Sequence, residues 1–131
     1  MELHPNELWL FLDEESATHK KTIALAKSIT KHVNICSLRH NKLSKLRWAK
    51  LLAMLNMQPK HLFNKSHEKY QEEIARHDFE VDDWLEILQH NPTMIMGPIA
   101  VMNGKAVLCV KPKDIYQLEP EGEHIMEREE L

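Results

Sequence analysis

Five consecutive apolar residues, Leu8-Trp9-Leu10-Phe11-Leu12, are followed by the polar Asp13-Glu14-Glu15-Ser16, then by a helical stretch from Ala17 to Ile29. Next comes Val33-Asn34-Ile35-Cys36-Ser37-Leu38, in which apolar and polar residues alternate. A short unbroken apolar run between polar residues reads as a buried strand, and alternation reads as a strand with one covered face. Strand, helix and strand in this order form a βαβ unit with two parallel strands and a right-handed crossover. The same unit places residues 13–16 and the first turn of the helix at the carboxyl end of the first strand. There, unpaired backbone N–H groups and the helix dipole favour an anion or a thiolate. The loop and first turn offer Ser16, Thr18, His19 and Lys20, and no cysteine.

Further along, Asn41 or Ser44 can cap a helix whose apolar stripe is Leu46, Trp48, Leu51, Leu52 and Leu55, all expected in the core. Pro59 suits the first position of another short helix, to Asn64. The polar stretch from Lys65 to Asp78 should hold short helical turns anchored by Tyr70, Ile74 and Phe79. Val81, Trp84, Leu85 and Leu88 mark an amphipathic helix, with Asp82 and Asp83 complementing its dipole and Asn91-Pro92 stopping it. Two apolar runs, Met94 to Met102 and Lys105 to Val110, flank Asn103-Gly104, the pair that best signals a tight antiparallel hairpin. Met94 and Met96 read as one core face of the first of these strands, and Pro98 should sit at the strand's start or carry a cis bond. Pro112 opens a final short helix from Lys113 to Leu118. The sum is an α/β, thioredoxin-like fold: βαβ, a helical insert at about 43–90, then ββα, giving a four-stranded mixed sheet flanked by helices. Residues 1–118 form the single domain, and 119–131 an acidic tail expected to be flexible.

At 131 residues and 43% hydrophobic the chain can bury one ordinary core. No apolar run approaches the ~20 residues that span a bilayer, and Met1-Glu2-Leu3-His4-Pro5 lacks the pattern of a secretory leader, so a cytoplasmic protein without a membrane partner is expected. Cys36 and Cys109 lie in strand-like runs with no Cys-x-x-Cys pairing, as buried spectator thiols do. The nine histidines include no His-x-x-x-His pair; His61 and His67 are nearest, no metal site is expected, and most should face solvent. Neither a Walker loop, a dinucleotide fingerprint nor an aromatic nucleic-acid platform is present, which argues against direct nucleic-acid binding. The net charge of −3 conceals an asymmetry: nine Lys or Arg and no acid between His19 and Lys50, six Glu against one Arg from Glu119 onward. Such a stretch either solvates two helices or gives one half of the molecule a positive surface for an acidic partner.

Two passages carry a family resemblance. They are Leu55-Asn56-Met57 through Leu62-Phe63-Asn64-Lys65-Ser66 with Tyr70 following, and Leu88-x-x-Asn91-Pro92-x-Met94-Ile95-Met96-Gly97-Pro98-Ile99. With the βαβ start and the hairpin ending in Lys111-Pro112, they make the chain resemble, from about Leu8 to Leu118, the arsenate reductase-like branch of the thioredoxin fold. That branch includes glutathione-dependent arsenate reductases and Spx-type transcription regulators. In its reductases a cysteine after the first strand attacks the arsenic and arginines hold the oxyanion. The resemblance places Ser16 at the cysteine position, and Asn64, Gly97 and Val110 at the arginine positions, while Pro98 is kept.

A serine hydroxyl cannot replace a thiolate in arsenic or disulfide chemistry. Ser16 is better read as the N-cap of the helix than as a nucleophile served by His19, since no nucleophile elbow surrounds it. Two functions are therefore expected. One is a non-catalytic interaction or regulatory module, Spx-like in kind, contacting a protein through Lys20, Lys45 and Arg47 in the basic first half. The other needs no built-in cofactor and binds a small anion or glutathione, or reduces by altered chemistry, using Ser16, Thr18, His19 and Lys20 with Lys65, Lys111 and Pro98 around them.

Overall fold

A computed structural model describes residues 7 to 119. The βαβ unit comprises β1 (Glu7–Leu12), α1 (Ala17–Ile29) and β2 (His32–Ser37), with β1 and β2 parallel and Leu12 beside Ser37. The insert holds α2 (Lys45–Leu55), a 3-10 turn (Pro59–His61), a π-helical turn (Tyr70–Ile74) and α3 (Val81–His90). After a second 3-10 turn (Pro92–Met94), β3 (Ile99–Met102) and β4 (Lys105–Leu108) form the hairpin, and a last 3-10 turn covers Pro112–Leu118. The sheet order is β2-β1-β3-β4, with β3 antiparallel to both neighbours. This is the four-stranded mixed sheet of a thioredoxin-like fold.

The pleat of β1 divides the core into two layers. Leu8, Leu10 and Leu12 join Ala100, Met102 and Val107 under α1 and the Pro112–Leu118 turn. Phe11, with Ile99 and Val101, meets Trp48, Leu51 and Leu52 of α2 and Trp84 and Leu88 of α3. Consequently α1 and α2 lie on opposite faces of the sheet. The acid-free stretch is split between them, so its cations on α1 and α2 fall on two separate surfaces, as solvated helices would have them, and do not form one positive half.

Ser44, rather than Asn41, caps α2, accepting the Arg47 N–H at 3.2 Å; the Asn41 amide instead donates to the Ser37 carbonyl. Asn56 closes α2 in the left-handed conformation, and Asn103 and Gly104 both take positive φ (53° and 74°), as the tight hairpin requires.

Several expectations are corrected. Leu46 is 65% exposed, because it stands about 200° around the helix from Trp48 and the two cannot share a buried stripe. The helix opened by Pro59 is only the turn Pro59–His61. The run from Met94 is not strand: Met94 ends a 3-10 turn and is buried, Ile95 makes a single bridge to Phe63, and Met96 is exposed. Pro98, which has no N–H to donate, immediately precedes β3 with a trans peptide bond, its carbonyl accepting the Cys109 N–H at 2.8 Å. At the other end β4 stops at Leu108, short of Val110. His32, His40, His61, His67, His77 and His90 are exposed as expected, but His19 is buried. The tail beyond Glu119 lies outside the described residues, as do His4 and His124.

Candidate functional site

Leu12 leaves the sheet at its buried centre, so the residues after it emerge on a closed surface and must satisfy their own polar groups. Asp13 does most of this. Its backbone N–H donates to His19 Nδ1 at 2.8 Å, and its carbonyl accepts the Ser16 N–H at 3.1 Å. Its carboxylate accepts Arg39 Nε at 2.6 Å, Arg39 Nη2 at 3.0 Å and the Glu15 N–H at 3.1 Å. Ser16 is the N-cap of α1: its Oγ accepts the His19 N–H at 3.4 Å.

Two charges are set by this network. Burial works against the Asp13 carboxylate, but the Arg39 and Glu15 hydrogen bonds and the nearby positive charge outweigh it and hold the pKa below the usual value. Burial pushes the His19 imidazole down, against the pull of Asp13. A ring nitrogen that accepts a backbone N–H carries no proton, so neutral His19 bears its proton on Nε2. Its Nδ1 is thereby committed to Asp13 and not to Ser16.

A cavity of about 290 Å³ opens over this loop, lined by Asp13, Ser16, Thr18, His19, Asn64 and Val110, with Thr93, Ile95 and Met96 completing it. Of the expected ligand-binding residues the structure brings Ser16, Thr18 and His19 together. Lys20, Lys65 and Lys111 are exposed and do not line the cavity, although Lys65 and Lys111 each follow a residue that does. Pro98 is buried and does not line the cavity. Gly97 is fixed by contact: a Cβ there would stand 2.1 Å from the Cys109 carbonyl oxygen, so no side chain fits without moving the backbone.

Neither cysteine is at the loop. Cys36 lies in β2 beside Phe11, half-buried, and burial raises its pKa against the opposing charge of Arg47. Cys109 follows β4, buried, its thiol pushed up to about 12 by burial and then by the Asp114 charge. Among the described residues no group of three His, Cys, Asp or Glu side chains is placed to hold a metal ion, and no helix is long and apolar enough to cross a membrane.

The expected protein-binding cations are also separated. Lys45 pairs with Asp82 (3.3 Å) and Glu86 (3.8 Å) across the α2–α3 packing, Arg47 is exposed on α2, and Lys20 is exposed on α1. Sequence reasoning missed the Asp13–Arg39 pair. A signal existed: parallel strands in register from Leu12 to Ser37 bring the residues just beyond their carboxyl ends together.

Comparison with known proteins places this geometry. The model of the ArsC family matches residues 11–118. The chain belongs to the ArsC family. No curated protein sequence matches it. Among solved structures it is similar to an arsenate reductase from Vibrio cholerae (TM-score 0.79, 16% identity, 88% of this chain and 100% of that one covered). A Yersinia pestis protein carrying a provisional arsenate reductase name superposes equally well (TM-score 0.79, 18% identity, 86% and 100% covered). An arsenate reductase-related protein from Brucella melitensis is also similar (TM-score 0.65, 16% identity, 89% and 98% covered). At these identities the likeness is one of fold.

Proposed function

We propose that this ArsC-family chain performs no thiol-redox chemistry and serves as an interaction or regulatory module, in kind like the Spx-type members. One observation carries the reading. Ser16, Asn64 and Val110, three of the four positions where the resemblance puts the catalytic cysteine and the oxyanion arginines, line one cavity, and that cavity contains neither thiol nor guanidinium. The fourth, Gly97, has no room for a side chain. The lysines following Asn64 and Val110 would act as point charges and lack the bidentate grip of arginine. The remaining thiols favour the protonated, unreactive form.

The test is a thiol-coupled arsenate and disulfide reductase assay on the chain and its Ser16→Cys variant. The expected result is no turnover by the chain; turnover by the unmodified chain would overturn the reading. Activity or glutathionylation confined to Ser16→Cys would show a retained scaffold whose chemistry had gone. For the partner itself, charge reversal at Lys20, on the α1 face, and at Lys45 and Arg47, on the α2 face, should weaken binding on one face only.

A second reading is favoured by the cavity: it binds a small anion or glutathione against the amides at the start of α1, with Ser16, Thr18 and His19 as its polar lining. Arg39 already balances the Asp13 carboxylate, so an anion would not meet an unpaired negative charge there. Titration calorimetry with arsenate, phosphate, sulfate and glutathione decides it, and absence of heat with all four excludes this site as theirs.

A further inference from the structure

The α2 end of the acid-free stretch points to a second site, which shares no lining residue with the loop cavity. α2 packs over β4 and against α3, and no described residue fully covers Trp9, Asn34 and Cys36 of β1 and β2 on the same sheet face. Trp9, Asn34 and Cys36 on that face are only partly buried, whereas Phe11 and Val101 are closed in. The result is a hollow of about 370 Å³ between sheet and helix, within the ~300–1,000 Å³ range of ligand pockets. Its floor is Trp9, Phe11 and Val101, with the two rings 6.5 Å apart and within 23° of parallel. Leu51 and Met54 form the helix wall, and Met54 is 38% exposed. Arg47 and Lys50, successive turns of α2, complete the lining.

These two cations differ from their neighbours. Arg39 is neutralised by Asp13 and Glu15, and Lys45 by Asp82 and Glu86, but Arg47 and Lys50 have no carboxylate partner among the described residues. A hollow with an aromatic floor and, at one side, two cations that no described carboxylate neutralises is complementary to a ligand with the same division. An inorganic anion would leave the floor unused, and an apolar molecule would leave the cations unused. We propose that this hollow binds a small organic anion: a flat apolar body laid against Trp9 and Met54, the accessible apolar residues of the lining, with a carboxylate, sulfonate or phosphate head held by Arg47 and Lys50. Neither Ser16 nor a cysteine lines the hollow.

The test uses two dyes of nearly the same body, 1-anilinonaphthalene-8-sulfonate and the uncharged N-phenyl-1-naphthylamine, titrated into the full chain. Saturable one-to-one binding of the sulfonate is expected, about tenfold tighter than that of the neutral dye. The Arg47→Gln/Lys50→Gln double variant should lose about that tenfold for the sulfonate alone. Met54→Trp, at a partly exposed position, should fill the hollow and abolish binding of both. The Trp9 indole N–H resonance, assigned with Trp9→Phe, should move on titration. Thermal unfolding of each variant verifies that it is folded. Equal affinity for the two dyes, sulfonate binding unchanged in the double variant, or non-saturating binding would each overturn the proposal.

Discussion

At the scale of single residues, His19 shows how the loop after β1 imposes its chemistry on the fold. It is buried and its Nδ1 accepts the Asp13 N–H, so protonation would cost both that bond and the burial of a charge. Its folded pKa lies below the unfolded 6.5. As pH falls the unfolded chain binds the proton first, so His19's contribution is complete above about 6.5 and declines as pH falls through the folded value. Denaturant unfolding between about pH 7 and 5 should therefore show stability falling with pH, with a shallower slope in His19→Asn, which keeps an acceptor but does not titrate there. Asp13 is also depressed, so its contribution is present above 3.8 and lost as pH falls through its lower folded value. Arg39→Gln should raise the Asp13 pKa, followed by carboxyl NMR titration, and move acid unfolding to higher pH. Ser16→Ala removes an N-cap whose bond is long at 3.4 Å, so the expected loss is about 0.5–1 kcal/mol in chemical denaturation.

At the scale of elements, two glycines separate conformational cost from steric cost. Gly104 takes a positive φ of 74° with nothing within 4 Å of its missing Cβ, so Gly104→Ala should cost only about 1 kcal/mol of backbone strain. Gly97 instead lies against the Cys109 backbone, and Gly97→Ala should cost about 3 kcal/mol or more, because the strand start must move away from the segment after β4. Comparing the two unfolding midpoints checks both. The same contact bears on the family resemblance: an arginine at 97 could not be restored in this chain by substitution alone. Elements defined by local chemistry were legible in the sequence: β1 from its apolar run, α1 from Ser16, the hairpin from Asn103-Gly104. Boundaries set by neighbours were not. Met94 and Met96 look like alternate residues of a strand, yet Ile95 bridges Phe63 from the insert and Pro98 delays the ladder to Ile99.

At the scale of the whole molecule, the sheet decides what can cooperate. It separates Lys20 from Lys45 and Arg47, and it packs the cysteines on its two faces, Cys36 on the α2 face and Cys109 on the α1 face, with neither lining the loop cavity. Thiol reactivity should follow: with iodoacetamide at neutral pH, Cys36 should be alkylated slowly and Cys109 only after unfolding, since its thiol is pushed up to about 12. Mass spectrometry of timed digests measures the order, and rapid native labelling of Cys109 would contradict the structure. The candidate site was legible only in part. Ser16, Thr18 and His19 are close in sequence and any helix start would gather them, whereas the Asp13–Arg39 pair joins residues 26 apart through strand register.

The sequence by itself determined the order of elements, the βαβ start and the ββα end, because those depend on periodicity, caps and turn residues that act within a few positions. It also determined that the loop after β1 and the first turn of α1 carry Ser16, Thr18 and His19 and no cysteine. Only the tertiary structure decided that Ser16, Asn64 and Val110 share a cavity, that His19 is buried, that Gly97 can bear no side chain, and that Arg47 and Lys50 flank an aromatic hollow. Each of those depends on packing between segments far apart in the chain, where burial and contact, not local propensity, set the environment of a side chain.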